Sequence, residues 1–250
     1  MKVWQRNFTV YQRIWKINFL PPLLEPLFYL FAFGAGLGAL IGSIRYEGSA
    51  VSYIGYIAPA LVAVNIMYNT FFETTFASFV RMYYQKTFDA MLATPLSIQE
   101  IITGEVVWGA TKSVFGTVIM LIVISFFGIL HYPATFLIVP LSFLAGFAFG
   151  SVGMFFTSLL PSIDAFNLPM FLFITPMFLF SGTFFPLENL PLWAQRAALL
   201  FPLTHLVKLT RAFGLGILQW GLAWDVLYLL VFSAIFFPIA VRGMRKRLIK

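Results

Sequence analysis

Six apolar stretches alternate with short polar segments along the chain, at 21–43, 51–72, 106–129, 133–159, 166–184 and 222–241. A run of about 20 apolar residues makes a helix about 30 Å long, the thickness of a bilayer's hydrocarbon layer. The pattern therefore predicts an all-α polytopic membrane protein with six transmembrane helices. Polar turns separate the spans at Arg45-Tyr46-Glu47-Gly48-Ser49, His131-Tyr132-Pro133 and Pro161-Ser162-Ile163-Asp164. Pro169 and Pro176 interrupt the fifth span.

Three segments do not fit a crossing. In residues 1–19, Trp4, Phe8, Tyr11, Trp15 and Phe19 fall on one helical stripe, with Lys2, Arg6 and Arg13 roughly opposite. Aromatics on one face and cations on the other describe an interfacial helix lying in the headgroup layer; a simple extension of the first span is the plainer alternative. Residues 79–92 read as a second amphipathic helix, with Val80, Tyr83, Tyr84, Thr87, Met91 and Leu92 against Arg81, Gln85, Lys86 and Asp89. Pro95 breaks it, and Ser97 with Glu100 three residues later forms a capping-box pattern leading into the third span. Such a helix suits either force transfer from a soluble partner or a berth on the membrane surface. Residues 185–220 hold two short apolar helices, one bracketed by Pro191 and Pro202, the other running to about Phe213 before Gly214 and Gly216. Each is about half a crossing, which predicts a re-entrant hairpin packed on protein or lining a cavity.

Composition supports the membrane reading. Of 250 residues 60% are hydrophobic and 10% charged, against about 25% charged in soluble domains. With the N-terminus inside, the inner segments carry eleven Lys and Arg: Lys2, Arg6, Arg13, Lys16, Arg81, Lys86, Arg242, Arg245, Lys246, Arg247 and Lys250. The outer segments carry four, Arg45, Arg196, Lys208 and Arg211. This asymmetry predicts both ends on the cytoplasmic side. The net charge of +7 then reads as orientation and contact with anionic lipid, not as nucleic-acid binding. Lys2, Arg6, Arg13 and Lys16 leave no short apolar core for a cleavable leader. The absence of Cys excludes disulfides and thiolate metal sites.

Candidate chemistry is sparse. Gly34, Gly38 and Gly42 recur every fourth position in the first span, a strip that permits close helix approach within one subunit or between two. Phe171, Phe178, Phe180 and Phe184 could line a greasy path or face lipid. Glu25, Glu105, Lys112 and Asp225 are the ionisable residues nearest the spans, and they do not form a proton relay. Lys112 is expected to snorkel to the inner surface or to pair loosely with Glu105, seven positions away on the same helix face. His131 and His205 lack metal-ligand spacing, so no metal or catalytic site is expected. Gly109-Ala110-Thr111-Lys112-Ser113 lacks the glycine before the lysine of a phosphate loop.

Two stretches carry a resemblance. Leu92-Ala93-Thr94-Pro95-Leu96-Ser97, and the outer pattern Phe185-Pro186-Leu187, Asn189-Leu190-Pro191, Trp193, Pro202-Leu203-Thr204-His205 and Arg211, resemble ABC-2 type transporter permeases. The chain is most similar to the nodulation-factor export branch, whose members carry lipo-oligosaccharides, and to related drug-resistance permeases. The resemblance implies a bacterial or archaeal cytoplasmic-membrane permease that dimerises and binds two copies of a separate ATPase. ATP and Mg would bind there, with no cofactor on this chain. It also implies that the 79–92 helix couples to the ATPase, with Arg81, Tyr84, Gln85, Lys86 and Asp89 as contact candidates. Trp193, His205 and Arg211 mark the outer hairpin. An intramembrane enzyme and a non-transporting assembly factor are the rival readings. The first needs a His, Asp or Glu cluster in one cavity, and the second needs an inner loop that binds something other than an ATPase.

Overall fold

The first apolar run and the segment before it are two helices joined across a kink. The structure, a computed structural model, describes residues 2–249. Met1, the start of the expected interfacial helix, and Lys250, one of the inner-end cations, lie outside the described residues. Helix α1 covers Lys2–Ile41. It bends at Ile14, where the backbone leaves helical geometry (φ −120°, ψ 17°), and passes through Pro21, Pro22 and Pro26. The expected division at 19–21 is thus displaced to residue 14. Wide π-helical turns fill Leu30–Leu37, and Gly42 ends the helix at φ +69°, a left-handed value that a side chain would strain.

The expected polar turn is a two-stranded antiparallel hairpin, β1 (Ser43–Tyr46) and β2 (Ser49–Ser52), with Tyr46 opposite Ser49. Glu47 and Gly48 both have positive φ, the geometry of a type I′ turn. The fold is therefore helical with one small hairpin rather than wholly α.

Helix α2 (Tyr53–Tyr84) overruns its expected end by twelve residues, because π-helical turns at Glu73–Ala77 and Val80–Tyr84 carry it onward. Short α3 (Thr87–Leu92) follows, then α4 (Ile98–Ser125), α5 (Ala134–Leu159), α6 (Asp164–Phe180), α7 (Leu192–Ala198), α8 (Pro202–Leu215) and α9 (Leu222–Leu248). Among the described residues α1, α2, α4, α5 and α9 are long and apolar enough to cross a membrane. Helix α6, at the expected fifth span, is shorter.

Helix α2 is central, packed against α4, α5 and α8, while α1 lies on α4 and α9 on α5. Small residues make the α2–α5 contact close. A Cβ on Gly150 would stand 3.0 Å from Thr70 Cγ2. Two apolar clusters result. The larger, around Ile57, Leu61, Phe149 and Leu206, fills the middle and the β-hairpin end. The smaller joins Val3, Phe79, Phe88, Ile101, Phe166 and Met244 at the other end, so both chain termini lie there.

Candidate functional site

At the terminal end, Glu73, Arg81, Glu105 and Lys112 converge between α1, α2 and α4. Arg81 Nη1 lies 2.8 Å from Glu73 Oε1, and its Nη2 lies 2.6 Å from Glu105 Oε2. Lys112 Nζ lies 2.9 Å from Glu73 Oε2. Ser78 Oγ and Asn7 Nδ2 donate to Glu105 at 3.0 and 2.8 Å, and Trp108 Nε1 donates to Glu73 at 3.2 Å. Both carboxylates are buried and fully engaged, as burial of charge requires. The network ties three helices together.

Two expectations change here. Arg81 was placed on an exposed coupling face, yet its side chain is only 14% exposed. Glu73 and Arg81 are eight residues apart on one helix face, so the buried carboxylates draw the guanidinium inward. Lys112 likewise pairs with Glu73 instead of reaching the surface, because that carboxylate is the nearer polar partner.

The 79–92 segment is not one helix. It breaks at Gln85 and Lys86, and Lys86 adopts φ +53°. Tyr84 and Gln85 close α2, Lys86 forms the corner and Asp89 rides on α3; all four are exposed. Lys86 Nζ stands 5.3 Å from the Tyr83 ring centre and 4.0 Å from Asp89 Oδ2. Phe88, fully buried, pins α3 to the terminal cluster. Ser97 then starts α4 with a full capping box: Glu100 N donates to Ser97 Oγ at 3.2 Å, and Ser97 N donates to Glu100 Oε2 at 2.8 Å. The exposed corner is held rigidly from both sides.

The N-terminal aromatic stripe, expected against lipid, turns partly onto protein. Trp4, Phe8 and Tyr11 pack on Trp108 with ring centres 6.4, 6.4 and 5.6 Å apart, and Trp4 Nε1 donates to Thr111 Oγ1 at 3.0 Å. Trp15 stays half exposed beside Phe19.

A seam of aromatic rings runs along α2. Phe184 meets Phe33 of α1 at 5.4 Å and Phe178 at 5.0 Å. Phe178 meets Tyr68 at 5.9 Å, Tyr68 stacks on Phe72 at 6.2 Å, and Phe72 on Phe76 at 5.1 Å. Phe76 then touches Phe166, and Phe166 touches Phe79. Of the four expected path residues, Phe178 and Phe184 belong to this seam, whereas Phe171 and Phe180 point outward. Tyr68, Phe72 and Phe76 were not anticipated, although their four-residue spacing was visible in the sequence.

The glycines separate in role. A Cβ on Gly34 would lie 2.6 Å from Ile54 Cδ1 of α2, whereas Gly38 meets only its own helix and Gly42 forms the end turn. The Gly146, Gly150 and Gly153 stripe of α5 was not anticipated, although its four- and three-residue spacing puts all three on one helix face.

At the β-hairpin end Arg211 is buried. Its Nε donates to Tyr56 O at 3.0 Å and its Nη2 to Gly182 O at 2.8 Å, and the guanidinium stacks 3.7 Å above the Tyr56 ring. Burial pushes the nearby Tyr46 phenol up, so that ring stays neutral. His205, which has no metal-ligand spacing in the sequence, meets a distant carboxylate: its Nδ1 lies 2.7 Å from Asp225 Oδ1 and its Nε2 2.9 Å from Leu199 O. A carbonyl only accepts, so Nε2 carries a proton. Lys208 Nζ lies 3.1 Å from Asp225 Oδ2, an ion-pair contact without hydrogen-bond alignment. These contacts fasten α8 to α2, to the 181–183 turn and to α9, while Trp193 on α7 is exposed. Together they clamp α8 through polar side chains.

Long apolar helices, with an exposed corner at one end and a clamped short helix at the other, define a multi-pass membrane protein. The ABC-2 type transporter family matches residues 1–215, and the chain belongs to that family. Nodulation protein J of Rhizobium leguminosarum bv. viciae is 35% identical over 250 residues, covering 100% of this chain and 95% of that protein. Nodulation protein J of Rhizobium leguminosarum bv. trifolii is 36% identical over 99% of this chain and 93% of its own length. The inner membrane transport permease YadH of Escherichia coli (strain K12) is 25% identical, with 95% and 91% covered. Members of the family are membrane permeases that work with ATPase partners.

Proposed function

We propose that the chain is the membrane subunit of an ATP-driven exporter of an amphipathic cargo: a lipid-linked oligosaccharide, a glycolipid or a hydrophobic drug. It works as a homodimer with two copies of a separate ATPase, which bind ATP and Mg. It sits in a bacterial or archaeal cytoplasmic membrane with the terminal end inside. In this reading α6 completes six spans, and α7 with α8 forms a re-entrant hairpin on the outer side.

The observation that carries the reading is the aromatic seam from Phe184 to Phe79, which links the hairpin end to the terminal end along one side of α2. Phe72 within it is exposed. An apolar, aromatic track open at the side suits a lipid tail or a hydrophobic drug, and aromatic faces also stack on sugar rings. The α2–α3 corner lies at one end of this track, so a push on the exposed Tyr84, Gln85, Lys86 and Asp89 would reach α2 directly. The polar network at Glu73 then passes that displacement to α1 and α4.

Copurification tests the reading. The protein expressed with its ATPase should retain it, and Phe178→Ala should reduce ATP-dependent export of cargo into the lumen of inverted vesicles without releasing the ATPase. Export unchanged in Phe178→Ala, Phe72→Ala and their double variant would remove the seam from the path.

A further inference from the structure

Between α1 and α2, at the terminal end, lies a cavity of about 430 Å³. Arg6, Arg81 and Lys112 line it against a single lining carboxylate, Glu73. Arg81 and Lys112 are committed: Glu73 and Glu105 hold the first, and Glu73 the second. Arg6 is not. Among the described residues it forms no ion pair, and its hydrogen bond is from Nη1 to Asn7 Oδ1 at 2.9 Å. The buried Glu105 cannot serve it fully, because Arg81, Ser78 and Asn7 already fill that carboxylate. Three cations against two carboxylates leave one positive charge facing the cavity.

The rest of the wall says what kind of anion fits. Val10 and Ile14 of α1 and Phe76 of α2 give it an apolar lining as well. The α1 bend at Ile14 borders the space, and Asn18 Nδ2 donates to the Ile14 carbonyl at 3.1 Å. Gln85, one residue before the left-handed corner at Lys86, closes another side. A small free anion has no use for the apolar wall, whereas a headgroup joined to acyl chains does.

We propose that this cavity binds the anionic phosphodiester headgroup of a membrane lipid, with Arg6 pairing to the phosphate and Ile14 and Phe76 meeting the first carbons below it. The occupant touches α1, the ion network and the base of the exposed corner at once. It therefore sets how firmly the N-terminal helix is held against α2 where the ATPase is proposed to bind. The binding claim stands apart from the export reading; only the leaflet, the cytoplasmic one, follows from the proposed orientation.

The test titrates the full-length protein in detergent with phosphatidylglycerol or phosphatidylcholine and counts bound lipid by native mass spectrometry. Wild type should retain the anionic lipid about fivefold better, the effect of one cation at an anionic surface. Arg6→Gln should abolish that preference; Arg6→Lys should keep it, as should Arg13→Gln, which alters an exposed arginine on the same helix. Excess inorganic phosphate should leave the bound lipid in place. Equal retention of the two lipids overturns the proposal, as does an undiminished preference in Arg6→Gln. Displacement by inorganic phosphate overturns the lipid assignment in favour of a free anion.

Discussion

Glu105 and Arg81 decide most at the scale of single residues. Removing one partner of a buried ion pair leaves the other uncompensated, at a cost of about 3–5 kcal/mol. Arg81→Ala should therefore lower thermal stability in detergent by roughly that amount, as read by unfolding of the purified protein. Tyr84→Ala, on the exposed corner, should leave stability within about 0.5 kcal/mol, as exposed substitutions do, and still weaken ATPase copurification. The same stability loss in both variants would contradict the division between a buried network and an exposed contact surface. Gly150→Val adds a Cβ and two methyl groups where the Cβ alone would stand 3.0 Å from Thr70 Cγ2. Overpacking of that kind costs about 1–3 kcal/mol, so its melting temperature should fall while that of Gly36→Ala, where an added Cβ meets nothing within 4 Å, should not.

Helices were legible in the sequence because a bilayer imposes length and apolarity on them, and both survive in a one-dimensional pattern. The Ser97 and Glu100 capping box was legible for a similar reason: its partners are three residues apart. What was hidden depends on distant pairs. Asn7 meets Glu105 across 98 positions and Lys112 meets Glu73 across 39, and no local periodicity signals either. The continuation of α2 to Tyr84 was hidden because π-helical turns shift the phase of the apolar stripe. That shift made 79–92 look like a separate amphipathic helix. His205 and Asp225 are 20 residues apart on different helices, so a spacing rule for local ligands passed over them. Their contact holds α8 to α9. His205→Ala should loosen α8, seen as faster amide exchange in 202–215, without altering exchange in α3. Unchanged exchange in both segments would show that the clamp does not depend on this histidine.

At the scale of the whole molecule, the two ends are built differently. The terminal end combines a satisfied ion network, a buried Phe88 anchor and an exposed corner; the hairpin end clamps a short buried helix through Arg211. The aromatic seam joins them along α2, and its rings are held by neighbours on α1 and α6. Motion imposed at the corner thus has a continuous packed route to the hairpin, the kind of contiguous network through which helices transmit displacement. The central claim is that an ATPase acts on this corner to drive cargo past the seam. The most direct measurement reconstitutes the protein with its ATPase in liposomes and follows ATP-dependent cargo movement in wild type and in Tyr84→Ala/Asp89→Ala. The account predicts ATP-dependent export in wild type and loss of both ATPase binding and export in the variant, with the fold intact. Export at the wild-type rate in the variant, or in liposomes without any ATPase, would contradict it.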